Sequence, residues 1–168
     1  RDLLYFVRTK KKQMDAYFNL GIVQNLLGKH DSALVSFSQA LRLQPQNAYL
    51  YYERGNAHRA AEKYKEALQD YKQALILEPS LLKARINNAT LRGMTKDYQG
   101  AIEEYTYLIN NTPPDVLNFY NRGYVYYLTG QHDKAINDLT KAITLDSSAL
   151  DAQLLRIQAL QASGKVPT

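Results

Sequence analysis

The sequence predicts an all-α fold assembled from repeated helical hairpins. Three observations carry that prediction: an internal period of 34 residues, apolar residues recurring at three- and four-residue spacing within each period, and no strand pattern anywhere. The period is written in several residue types at once. Pro45, Pro79 and Pro113 recur every 34 residues, as do Ala33, Ala67, Ala101 and Ala135. Gly21 and Gly55 share that separation, Gly123 falls two periods after Gly55, and Gly28, Gly130 and Gly164 keep a second register. A fixed period of this length marks a supersecondary unit that buries its apolar face only against its neighbours.

The framing gives four full units, 14–47, 48–81, 82–115 and 116–149, followed by 150–164, which reads as a C-terminal capping helix or a partial fifth unit with only a first helix. Each full unit reads as two amphipathic helices, roughly 14–27 and 31–44 in the first. A turn at Gly28–His30 or Gly130–His132 separates them, and Asp31 and Asp133 open the second helix, where negative charge suits the helix dipole. Proline stops the second helix in units one to three. Unit four has Ser147 at that place, so its second helix is expected to run on. Residues 1–13 read as the remnant of an upstream helix or a linker. Leu4 and Val7 stand where a preceding second helix would place apolar residues, and Arg8–Lys12 looks like a basic linker. Residues 165–168 form a tail.

Composition narrows the function classes. The chain has 168 residues, the size of one domain, with 45% hydrophobic and 22% charged residues and a formal charge of +5. That charge suits an acidic partner or an anionic surface, but it is too small and dispersed to argue for nucleic acid. Without cysteine there is neither a disulfide framework nor a thiolate metal site. The apolar run Leu3–Val7 is too short to span a bilayer. A chain opening on Arg1 is expected to be a fragment or a processed product. A targeting signal could then lie outside it, and the compartment stays open with the cytoplasm slightly favoured.

Read place by place, the units resemble the tetratricopeptide repeat (TPR). The fourth place is large (Tyr17, Tyr51, Phe119) and the eighth small (Gly21, Gly55, Ala89, Gly123). The twentieth is alanine throughout, and the twenty-fourth is Phe37, Tyr71, Tyr105 or Leu139. The twenty-seventh is Ala40, Ala74, Leu108 or Ala142. Small residues let helix backbones approach and large ones fill the gap beside them. The third unit departs, with Arg85 for an aromatic, Leu108 for alanine, and helix-weakening Gly93 and Gly100, so altered packing is expected there. The resemblance implies a right-handed α-solenoid whose first helices line a concave groove.

The same resemblance assigns the groove residues, at the second, fifth, ninth and twelfth places. These are Asp15, Phe18, Ile22 and Asn25; Tyr49, Tyr52, Asn56 and Arg59; Lys83, Ile86, Thr90 and Gly93; Leu117, Tyr120, Tyr124 and Tyr127. Six aromatics stand out, because tyrosine offers large contact area with a polar handle and binding surfaces favour it. The sixth place carries Asn19, Asn87 and Asn121, interrupted by Glu53. A carboxamide donates and accepts at once, so such a row resembles the asparagine ladder by which some TPR superhelices hold an extended peptide. The basic places that TPR co-chaperones use to clamp a chaperone tail's carboxylate hold Tyr52, Leu117 and Asn121, so such tails are not expected as partners.

No catalytic constellation is suggested. His30 and His132 hold equivalent turn places filled by Tyr64 and Tyr98 in the middle units, and His58 replaces a packing residue. Glu103 and Glu104 are adjacent on a helix and do not face each other, which reads as a solvated face. No metal site and no cofactor are expected. The function expected is a non-catalytic scaffold that binds a peptide or helical segment of another protein. The alternative is a structural or self-association module within a larger assembly, motivated by the apolar Leu154, Leu155, Ile157 and Leu160 of the last helix. RNA binding is a remote third.

Overall fold

The computed structural model describes residues 2–165, without the side chains of residues 2–4, 6 and 7. Among the described residues there are nine α-helices and no strand. They are α1 (Asp2–Leu26), α2 (His30–Leu43), α3 (Ala48–Ala60), α4 (Tyr64–Leu77), α5 (Leu82–Met94), α6 (Tyr98–Asn111), α7 (Val116–Leu128), α8 (His132–Leu145) and α9 (Leu150–Ala162). The chain divides into two compact units, Arg1–Arg85 and Ile86–Thr168, with the boundary inside α5. In the first unit α1 packs on α2, α2 on α3 and α3 on α4, and α1 also touches α3. In the second, α6 packs on α7, α7 on α8 and α8 on α9, and α7 touches α9. Within each unit, then, first helices of successive hairpins lie side by side.

One turn ends every first helix. At α1 the Gly28 and Lys29 N–H groups donate to Asn25 O and Gln24 O at 3.0 and 2.8 Å, the paired bonds of a Schellman motif. The same pair recurs at Glu62 and Lys63, at Lys96 and Asp97, at Gln131 with Gly130, and at Lys165 with Gly164. The motif needs a left-handed residue, and the φ values are 73° at Gly28 and Gly130 and 71° at Gly164. Glu62 and Lys96 hold the same conformation at 58° and 65°, where a side chain costs about 1–2 kcal/mol. Following this turn, α2, α4 and α8 start on Lys29, Lys63 and Gln131 with no side-chain cap. Asp97, Asn47 and Asp115 cap α6, α3 and α7 through backbone N–H groups. Asp31 and Asp133 lie in the first turn, one residue after His30 and His132.

The small and large places meet as anticipated. Ala33, Ala67, Ala101 and Ala135 are fully enclosed. A Cβ placed on Gly55 would lie 2.8 Å from the Tyr71 ring, and one on Gly21 would lie 2.7 Å from Phe37. Leu108 is buried with Ala89, Ala101, Tyr105 and Val125 in one cluster. Arg85 is half-buried and donates to the Pro79 carbonyl at 3.3 Å. Gly100 sits in the first turn of α6, where Asp97 Oδ1 accepts its N–H at 3.1 Å, so it interrupts no helix interior.

Three expectations are corrected. Residues 8–12 are not a linker but part of α1, because lysine, arginine and glutamine are good helix formers and no breaker intervenes. The second helix of the fourth unit does not run on. It ends at Leu145, and Asp146 Oδ1 accepts the Ser148 N–H and hydroxyl at 2.8 and 2.6 Å, a turn that does the work of the proline. Glu104 is not on a solvated face, since it accepts from Asn88 Nδ2 at 2.9 Å and is half-buried. The reading of Leu4 and Val7 lies outside the described side chains.

Replacing Glu62 by glycine should raise the unfolding free energy by about 1 kcal/mol in urea denaturation, while Glu62→Ala should not. Gly55→Ala should cost about 1–3 kcal/mol by the same measurement, because the enclosed Tyr71 ring has nowhere to retreat.

Candidate functional site

The first helices are held in place by a bridging device absent from the sequence reading. Arg54 on α3 forks onto Asp70 of α4, with Nε and Nη2 at 2.8 and 2.6 Å, and reaches Ser38 Oγ of α2 at 3.4 Å. Arg122 on α7 does the same to Asp138 of α8 at 2.7 and 2.9 Å and to Thr106 Oγ1 of α6 at 3.0 Å. Both aspartates are buried, and the paired carboxylate holds each guanidinium's pKa above its ordinary value. Each arginine also lies over a ring, Tyr51 or Tyr126. The signal was available, since Arg54 and Arg122 lie two periods apart, as do Asp70 and Asp138.

In the first unit the aromatic candidates form a run of rings. Phe18 lies 6.2 Å from Phe37 and 5.8 Å from Tyr49, Tyr49 lies 5.6 Å from Tyr52, and Tyr52 lies 6.3 Å from Tyr71. Phe18 and Ile22 are therefore partly core, packed on the Ala33–Phe37–Ala57 cluster. Tyr49 stays 41% exposed; partial burial, then the Glu53 carboxylate, raises its phenol pKa. Asn56 is not available to a ligand, because its Oδ1 accepts from Tyr71 Oη at 2.9 Å and its Nδ2 donates to Glu53 at 3.1 Å. Arg59 is half-buried, whereas Asn19 and Lys83 are exposed.

In the second unit α5, α6 and α7 enclose a cleft of about 370 Å³. Its polar side is Thr90, Tyr105 and Asn121, with Thr90 Oγ1 and Tyr105 Oη 3.1 Å apart. Its apolar side is Met94, Tyr124 and Leu128, exposed by 61%, 43% and 44%. Tyr120 stacks on Tyr124 with centroids 6.5 Å apart and planes 8° from parallel. Burial, then Asp151, raises the Tyr120 pKa. Tyr127 packs on His132 at 5.7 Å, so it is partly committed. Of the asparagine row only Asn121 lines this cleft, and Asn87 is half-buried.

Family models of the tetratricopeptide repeat match residues 48–81 and 119–148, and a further TPR repeat model matches 25–60. This chain belongs to the tetratricopeptide repeat family. Solved TPR folds align along nearly all of it. A MamA crystal structure is 21% identical, covering 92% of this chain and 85% of its own, with a TM-score of 0.86. A tetratricopeptide repeat protein from Parabacteroides merdae is 22% identical over 91% of this chain and 61% of its own, TM-score 0.86. YrrB, described as a TPR protein with an unusual peptide-binding site, is 18% identical over 98% and 85%, TM-score 0.81. A search of curated proteins finds no match. The TPR fold here is an all-α helical-repeat solenoid, and membership of the family supports a protein-interaction scaffold in general terms.

The remaining candidates are part of the TPR framework. His30 Nδ1 sits 2.8 Å from Asn25 Oδ1 and so closes the first turn. His58 Nε2 lies 3.6 Å from the Asp70 carboxylate that Arg54 already holds, and burial lowers its pKa below 6.5. Among the described residues no group of three or more histidines or carboxylates could hold a metal ion, and no helix is long and apolar enough to cross a membrane. Because the His58 pKa is depressed in the fold, the unfolded chain takes up a proton first as pH falls below about 6.5. Stability should therefore fall between pH 7 and pH 5, and urea denaturation of His58→Asn should show a flatter pH dependence in that window.

Proposed function

We propose that this TPR chain is a non-catalytic scaffold that takes a peptide or helical segment of a partner protein on the first-helix faces of its units. The observation that carries this reading is the second-unit cleft. It sets exposed Met94, Tyr124 and Leu128 beside the Asn121 carboxamide, while the Thr90 and Tyr105 hydroxyls bond each other and Thr90 donates to Ile86 O. An apolar wall faced by a few convergent polar groups is what an amphipathic segment requires. Exposed Tyr49, with Tyr52 and Glu53 beside it, offers a second contact patch in the first unit. The peptide-binding site described for YrrB supports the same use of the fold.

The polar groups suit main-chain recognition, with Asn121 as the adaptable donor and acceptor. No basic side chain lines the cleft other than Lys96, which disfavours a terminal carboxylate clamped by several cations. Partners that engage through apolar and aromatic anchors fit better than acidic tails or nucleic acid.

Affinity capture with the full chain should lose about tenfold or more of its retained partner on Tyr124→Ala, with a smaller loss on Tyr49→Ala. Neither change should shift the melting temperature much, since both rings are over two-fifths exposed. Unchanged capture by the Tyr49→Ala, Tyr124→Ala double variant would overturn the reading.

A further inference from the structure

Counted by segment, the formal charge of +5 is concentrated ahead of the repeats. Residues 1–13 hold five of the 21 basic residues and one of the 16 acidic ones, so the chain from residue 14 onward lies within one charge of neutral. No acidic residue stands between Asp2 and Asp15, and Arg8, Lys10, Lys11 and Lys12 directly follow the apolar run Leu3–Val7.

Helix geometry turns this segment into a face. The first helices α3, α5 and α7 have 13 residues each, whereas α1 has 25. At 1.5 Å per residue α1 extends about 18 Å ahead of the place where its counterparts start. Met14, the first buried residue, seats α1 on Ala40, Leu41 and Leu50. Ahead of it every described side chain is exposed, Tyr5 by 75%. Tyr5, Arg8 and Lys12 recur at three and four residues and share one side of the helix, with Lys11 beside them. At about 100° per residue Met14 falls on the opposite side, so the cationic face points away from the hairpin.

The chain's own continuation does not cover this face. Residues 8–13 include no apolar side chain, so an upstream hairpin packing as these hairpins do would find nothing there to bury. Such a hairpin could cover Leu3–Val7 and would still leave the cations outside. A second copy would set like charges against each other. Nucleic acid would use the cations alone, whereas an aromatic and apolar run beside basic residues matches the boundary between lipid headgroups and acyl chains. Arg8 also repels Lys11 and Lys12 along the helix, and an anionic surface relieves that repulsion.

We propose that the leading turns of α1 are a docking site for an anionic lipid surface, with Arg8, Lys11 and Lys12 on the headgroup phosphates and Tyr5 at the headgroup boundary. Each cation held near such a surface strengthens binding about fivefold, and the apolar run adds the second signal that stable anchoring requires. The site is independent of the cleft in the second unit.

Flotation of the full chain with vesicles tests it. Vesicles of phosphatidylcholine carrying about one-third phosphatidylserine should bind the chain saturably, and vesicles of phosphatidylcholine alone far less. The Arg8→Gln, Lys11→Gln, Lys12→Gln variant should bind about a hundredfold more weakly, whereas Arg8→Lys, Lys11→Arg, Lys12→Arg should bind as the parent does. Glutamine keeps the helix propensity of the residues it replaces, and all three places lie ahead of the packed core, so the melting temperature should hold. Salt at about 1 M, where the screening length is ~3 Å, should release the chain. Equal binding to the two vesicle types, or no loss in the glutamine variant, would overturn the proposal. So would tighter binding to a duplex oligonucleotide than to the anionic vesicles, which would make nucleic acid the ligand.

Discussion

Everything in this molecule depends on close approach of helices at one place in each hairpin. Where Gly21, Gly55, Ala89 and Gly123 stand, the backbone of a first helix comes within van der Waals reach of Phe37, Tyr71, Tyr105 or Leu139. That contact sets the spacing of the pair, and the spacing brings Arg54 to Asp70 and Arg122 to Asp138. The arginines reach back to a hydroxyl of the preceding helix and so join neighbouring hairpins as well as closing their own. Apolar contact supplies the stabilisation, while the buried ion pairs restrict how the helices can slide.

The exposed faces of the first helices are a by-product of that economy. A hairpin that packs through its eighth and twenty-fourth places leaves the opposite side of its first helix without a structural duty. In the first unit much of that side is still drawn into packing, because Phe18 and Ile22 lean on the Phe37 cluster and Asn56 is spent on Tyr71 and Glu53. In the second unit Gly93 at the twelfth place and Thr90 at the ninth leave room, and the cleft opens where side chains are small. The difference between the units thus follows from side-chain volume rather than backbone.

By itself the sequence determined the class, the hairpins, the period and the enclosed alanines, because each is a local pattern repeated until chance is excluded. It showed the glycine turns at residues 28, 130 and 164, yet hid the same turn at Glu62 and Lys96, whose side chains oppose the conformation that the packed helices impose. It misread residues 8–12 as linker, since a basic run without apolar spacing carries no periodic signal even when it continues a helix. Tertiary structure alone decided which candidate side chains remain available. Asn56 and Asn121 look alike in the sequence, but one is spanned by a tyrosine and a glutamate while the other opens on a cleft. The reason is physical: a side chain's availability depends partly on neighbours across the helix pair, and Tyr71, which donates to Asn56, lies 15 residues away along the chain.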